Sequence, residues 1–160
     1  YSELGEGATF NLYFPIKESF ITEQKKSPQD HASFKGKGTI LIIEDEFVLR
    51  KSVENILKTA GYTVLSAEEG KSGIECFKKN SKSIDIVLLD MVMPGESGNY
   101  VYKKIMDIKP STGVILMSGF RKDKRVDEVM KMGKVLFLQK PFNQEELFSI
   151  IRKVTAKKTS

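Results

Sequence analysis

Five residues in this sequence stand where a short apolar run gives way to a group that could do chemistry. Thr39 to Ile43 is followed by Glu44 and Asp45, Ile84 to Leu89 by Asp90 and Gly113 to Met117 by Ser118, while Val135 to Leu138 leads to Lys140. Three carboxylates, a hydroxyl and an ammonium gathered at one rim would form a mixed-charge cluster. Two unit charges about 4 Å apart interact by about 4 kcal/mol at an effective dielectric near 20, so the carboxylates repel one another unless a cation joins them. Oxygen-only donors at a water-accessible edge favour Mg2+, which keeps several waters and accepts one or two carboxylates together with a phosphoryl oxygen. A carboxylate beside such an ion and a lysine can act as a nucleophile toward phosphorus, the remaining task being positioning and charge neutralisation. Asp90, ending the central run, is the nucleophile candidate. Glu44 and Asp45 are the paired acids placed to hold metal, and Ser118 and Lys140 would hold phosphoryl oxygens. Singly, each has an ordinary reading: Asp90 as a loop cap, Ser118 bonded to backbone, Lys140 as a surface lysine before Pro141. Four strand ends with complementary chemistry favour the joint reading.

For these groups to meet, the apolar runs must be neighbouring strands whose ends point the same way. Between the runs, Val53, Ile56, Leu57 and Ala60 recur at helical spacing, as do Val126, Val129, Met130 and Gly133, and Leu147, Ile150, Ile151 and Val154. Asn143, three residues before Glu146, gives the last helix a start resembling a capping box. Buried strands alternating with helices predict an α/β fold: a doubly wound five-stranded parallel sheet with helices on both faces, its ligand site beyond the carboxyl ends of the strands. Residues 1–36 depart from this pattern. A Gly5-Glu6-Gly7 turn leads into an alternating strand that carries Phe10, Leu12 and Phe14 and ends at Pro15; residues 16–36 read as a polar linker, with the domain boundary near residue 36.

The segments Leu41-Ile42-Ile43-Glu44-Asp45-Glu46, Ile86-Val87-Leu88-Leu89-Asp90-Met91-Val92-Met93-Pro94-Gly95, Met117-Ser118-Gly119 and Phe137-Leu138-Gln139-Lys140-Pro141-Phe142 resemble, in order and spacing, the motifs of the receiver domain of two-component response regulators. The resemblance implies a flavodoxin-like sheet of strand order 2-1-3-4-5 over residues 37–156. It implies that Asp90 accepts a phosphoryl group from a phosphohistidine, that Asp45 and Asp90 bind Mg2+ directly with Glu44 acting through water, and that the backbone carbonyl of Val92 is a further metal ligand. Lys140 would pair with the phosphoryl group, the bond to Pro141 being cis. Ser118 and Phe137 would form the switch, the aromatic ring moving into space that Ser118 vacates; the competing reading of Phe137 is a plain core residue. Glu44 stands where the family more often has Asp, and Lys134 where it usually has Ala. Gly5-Glu6-Gly7-Ala8-Thr9-Phe10-Asn11-Leu12-Tyr13-Phe14-Pro15 resembles the closing glycine box and last strand of a histidine kinase ATP-binding domain. Together the two resemblances imply the C-terminal receiver of a hybrid histidine kinase: residues 1–15 a remnant of the kinase, 16–36 a linker, 37–156 the receiver and 157–160 a basic tail. The expected partners are a histidine kinase core in the same chain and a histidine phosphotransfer protein. His31 lacks the acid that follows a kinase phosphoacceptor histidine and reads as a surface residue.

Composition narrows the alternatives. With 40% hydrophobic and 29% charged residues the chain can build a core, and no apolar stretch approaches the ~20 residues of a membrane span. A single cysteine, Cys76, forms no internal disulfide and leaves no zinc cluster, so a cytoplasmic location is expected, with a parent kinase anchored elsewhere in a membrane. The sequence opens at Tyr1 with no leader and reads as a piece of a longer polypeptide. The net charge of +5 is concentrated at Arg152, Lys153, Lys157 and Lys158, where it complements a helix C-terminus, so no nucleic-acid partner is expected. Exposed residues 9–14 could add to a sheet edge of a second copy and give a homodimer. Two other functional classes stand beside the phosphoacceptor: a receiver that serves only as a docking module, and a small aspartyl-phosphate hydrolase. The latter needs a general acid or base near Asp90, where Val92 offers only an apolar side chain.

Overall fold

Apolar residues at successive positions of a parallel strand can all be buried only if both faces of its sheet are covered, and this requirement organises the chain. The computed structural model describes residues 2–3, 7–8, 11, 36–119, 124–133 and 135–156. It divides into two units, Tyr1–Ala32 and Ser33–Ser160. In the second unit β1 (Thr39–Ile43), α1 (Phe47–Thr59), β2 (Thr63–Ala67), α2 (Gly70–Asn80), β3 (Ile84–Asp90), α3 (Gly98–Ile108), β4 (Gly113–Ser118), α4 (Lys124–Met132), β5 (Leu136–Gln139) and α5 (Gln144–Ala156) follow one another. The sheet runs β2-β1-β3-β4-β5 with every neighbouring pair parallel, which is the expected 2-1-3-4-5 order.

The two-residue period of the strands sorts side chains into two cores. Leu41, Ile43, Val87, Leu89 and Leu116 pack with Phe77 of α2, Val101 and Ile105 of α3, and Val126 and Val129 of α4. Ile40, Ile42, Ile86, Leu88 and Ile115 pack on the other face with Val53 and Leu57 of α1 and Leu147, Phe148 and Ile151 of α5. β3 lies between β1 and β4, so its run from Ile86 to Asp90 is buried throughout. Strands β3 and β4 each extend one residue past the apolar run because Asp90 and Ser118 continue the ladder, as in the pairings Asp90–Met117 and Ser118–Gln139. On α4 the apolar stripe is narrower than its spacing suggests. Val126 and Val129 are buried, while Met130 is 48% exposed and Gly133 lies beyond the helix.

At the expected boundary Gly36 bonds into the domain: the Gly36 N–H donates to the Ala60 carbonyl at 2.7 Å, and a side chain at Gly36 would collide with the Tyr62 ring. In the first unit Ser2–Glu3 pairs antiparallel with Gly7–Ala8, so Gly7 lies in a strand rather than in a turn. The strand expected to end at Pro15 falls, save for Asn11, outside the described residues. So do all of the linker but Gly36, His31, Lys134 and the tail 157–160. No helix among the described residues is long and apolar enough to cross a membrane.

The start of α5 carries the reciprocal bonds of a capping box. The Asn143 N–H donates to Glu146 Oε2 and the Glu146 N–H donates to Asn143 Oδ1, both at 2.9 Å. Asn143→Ala leaves a helix-start donor without its partner and is expected to lower stability by about 1 kcal/mol, read as a shifted midpoint at unchanged slope in urea unfolding.

Candidate functional site

The parallel register brings the chemistry-bearing residues to one edge of the sheet. Ile43 pairs with Leu89 and Asp90 with Met117, so Glu44, Asp90 and Ser118 follow or end three adjacent strands. The Lys140 N–H donates to the Ser118 carbonyl at 2.9 Å, tying the segment after β5 to the end of β4. One ligand oxygen from each of Glu44, Asp45 and Asp90 lies within 4.8 Å of the others. The Lys140 ammonium reaches into this cluster, 2.8 Å from Asp90 Oδ2 and 2.6 Å from Glu44 Oε2. The first contact is a directed hydrogen bond. The second is a close ion pair with the buried Glu44 carboxylate. Asp90 Oδ1 accepts from the Val92 N–H at 3.0 Å.

The three acids differ in environment. Glu44 is 1% and Asp90 3% exposed, whereas Asp45 faces solvent. Three carboxylates against one ammonium leave an excess of negative charge in a site only partly open to water. Glu44 responds mainly to its withdrawal from water: its carboxyl is raised from an ordinary 4.5 to about 7, chiefly by burial, offset in part by Lys140 and reinforced by the negative charge of Asp90. Burial pulls Lys140 downward, but its contacts with Asp90 and Glu44 outweigh this and hold the ammonium above its usual range. Three carboxylates whose oxygens lie this close together, with neither His nor Cys in the group, fit a hard divalent cation bound through oxygen.

Of the residues singled out from sequence, Glu44, Asp45, Asp90 and Lys140 meet in this cluster. Ser118 is fully buried at the end of β4, next along the strand from the partner of Asp90. Val92 is exposed and engages Asp90 through its N–H. Phe137 is half-buried against the core that includes α3 and α4, and the Lys140–Pro141 peptide is cis.

Arg50 stands outside every motif, yet it is buried against the same loop. Its Nη1 donates to the carbonyls of Glu44 and Asp45, at 3.0 Å for the latter. Its Nη2 lies 3.5 Å from Glu68 Oε2, and its guanidinium sits 5.7 Å from the centre of the Phe47 ring. Extending the Val53 and Leu57 stripe back by one turn lands on Arg50, which is the signal that sequence offers.

A 2-1-3-4-5 parallel sheet with acids and a lysine at its carboxyl edge is the architecture of a flavodoxin-like signalling module. The chain belongs to the response regulator receiver domain family, whose model matches residues 40–152, and that part is a receiver domain of two-component signalling. Across 98% of its length the chain is 27% identical to the sensor kinase CckA of Brucella abortus, of which it spans 17%. A receiver domain protein from Clostridium thermocellum superposes with a TM-score of 0.72 at 31% identity, over 76% of this chain and 97% of that one. The receiver domain of a hybrid histidine kinase CckA does so with a TM-score of 0.63 at 28% identity, over 73% and 98%.

The raised Glu44 carboxyl makes metal-free stability depend on pH. The folded state holds this proton more tightly than the unfolded chain does. The contribution is therefore fully present below pH 4.5 and is lost as pH rises through about 7. Lys140, raised above 10.5, stays charged in both states across this window and adds no slope. The metal-free chain is expected to lose about 2–3 kcal/mol of stability from this group between pH 5 and pH 8. Glu44→Gln should flatten that loss, as checked by urea unfolding in EDTA at the two pH values.

Proposed function

We propose that this receiver takes a phosphoryl group from a phosphohistidine onto Asp90 with the help of Mg2+, and that the modification alters a protein-interaction face. The observation that carries the reading is the setting of Asp90: a nearly buried carboxylate gripped by Lys140 and flanked by two further acids. One carboxylate oxygen of Asp90 forms a bond to phosphorus as the bond from phosphorus to the histidine nitrogen breaks, and the leaving imidazole takes up a proton. Lys140, already oriented on Asp90, turns its ammonium to the phosphoryl oxygens. Glu44, Asp45, Asp90 and the Val92 carbonyl would hold the ion, Glu44 acting through water; when bound, Mg2+ neutralises charge on the phosphoryl oxygens. The Val92 N–H donates to the other Asp90 oxygen and limits the carboxylate's rotation.

The product adds negative charge and acceptor oxygens where Asp90 stood. Ser118, at the end of the neighbouring strand, is the hydroxyl placed to be drawn toward them. Half-buried Phe137 would change its packing when Ser118 moves, which would alter the surface made by α4, β5 and α5.

The match to a sensor kinase through nearly the whole chain, the first unit included, supports a wider organisation. Residues 1–15 would close a kinase ATP-binding domain, 16–36 would be a linker, 37–156 the receiver and 157–160 a tail. The donor would be a kinase core in the same polypeptide, the acceptor a histidine phosphotransfer protein, and the location the cytoplasm.

Incubation with acetyl phosphate and Mg2+ is expected to add one phosphoryl mass to the intact chain. Asp90→Asn or EDTA should abolish the adduct. Absence of an adduct from the unsubstituted chain, with acetyl phosphate and with phosphoramidate, would leave only a docking module.

A further inference from the structure

Glu44 is held by Lys140 and by a weak bond from the Glu46 N–H at 3.4 Å, and Asp90 by Lys140 and the Val92 N–H. No hydrogen bond or ion pair to a described residue restrains the solvent-facing Asp45 carboxylate, so its direction is inherited from the backbone between β1 and α1. Among the described residues, one side chain donates to the carbonyls of that stretch. Arg50, on the first turn of α1, turns its guanidinium back under the loop, where a single nitrogen donates to the carbonyls of Glu44 and Asp45. The Arg50 side chain is only 8% exposed, and its one acidic partner, Glu68, is 75% exposed and 3.5 Å away. The guanidinium is thus buried chiefly against peptide carbonyls. Two carbonyls converging on one nitrogen fix two successive peptide planes, and with them the direction in which Asp45 leaves the chain.

We propose that Arg50 is a positioning residue of this site: it sets the peptide links after Glu44 and Asp45, and so aims the Asp45 carboxylate at the divalent ion. The proposal rests on the reading of the acidic cluster as a cation site. Its sign separates it from simple electrostatics. A positive charge near a cation site repels the cation, so if Arg50 acted only through its charge, neutralising it would tighten binding. If it acts by orienting the loop, neutralising it loosens binding, since supporting groups behind a ligand are typically worth about 10–100-fold in metal affinity.

The test is Mn2+ titration of the whole chain followed by electron paramagnetic resonance, with amide hydrogen exchange on the metal-free protein. Arg50→Gln is expected to weaken Mn2+ binding about tenfold and to speed exchange at residues 44–46 in the absence of metal, with β3 and β4 unaffected. Arg50→Lys keeps the charge but replaces the planar fork with a point ammonium, and should fall between the two. Glu68→Gln removes only the outer partner and should leave affinity within about twofold. Arg50→Gln binding Mn2+ as tightly as the unsubstituted chain, or more tightly, overturns the proposal; so does a loss in Glu68→Gln equal to that in Arg50→Gln. Should Arg50→Gln not fold, Arg50→Lys carries the test, and unchanged affinity with unchanged exchange at 44–46 overturns it. Failure of the unsubstituted chain to bind Mn2+ at all would instead count against the cation site itself.

Discussion

Lys140 bridges two carboxylates that come from different strands and that would otherwise repel each other across a buried gap. Its ammonium lies within 3 Å of both Glu44 and Asp90, and both acids are almost wholly withdrawn from water. Burying one such group costs several kcal/mol unless a partner compensates. Here one cation serves two anions, and a third acid, Asp45, stands at the rim. The edge of the sheet is therefore held together by a charge balance that remains incomplete, three acids standing against one ammonium. Every other element serves to keep those groups at that separation.

The sheet does this through register rather than through contacts at the site. Parallel pairing advances β1, β3 and β4 in step, so a polar residue at the end of each apolar run arrives at the same level. Two separate cores, one on each face, lock the register, because a slip of a single residue would exchange their contents. Near the site the packing becomes close: a side chain at Gly98, the first residue of α3, would come within 2.8 Å of the Met91 backbone and 3.1 Å of the Asp90 carbonyl. The helix that follows β3 starts hard against the end of that strand.

Most of this was open to reading in one dimension. The acids and the lysine lie at ends of apolar runs, and the end of a run is visible in a string of letters; so is the helical spacing of Leu147, Ile150, Ile151 and Val154, all of them buried. What escaped was set by geometry that the letters do not carry. Arg50 binds backbone carbonyls, which every sequence possesses, so no pairing of side-chain types announces it. Met130 fits the periodicity of α4 but lies outside the narrow strip through which that helix meets the core. Gly36 looks like linker by composition, yet it bonds into the domain because the turn after α1 presents the Ala60 carbonyl to it.

The unequal burial of the three acids also gives the cluster a direction. With Glu44 and Asp90 almost wholly withdrawn from water, Asp45 is the acid of the three that solvent reaches. A group approaching from solvent therefore meets the negative charge of Asp45 before that of the two inner acids.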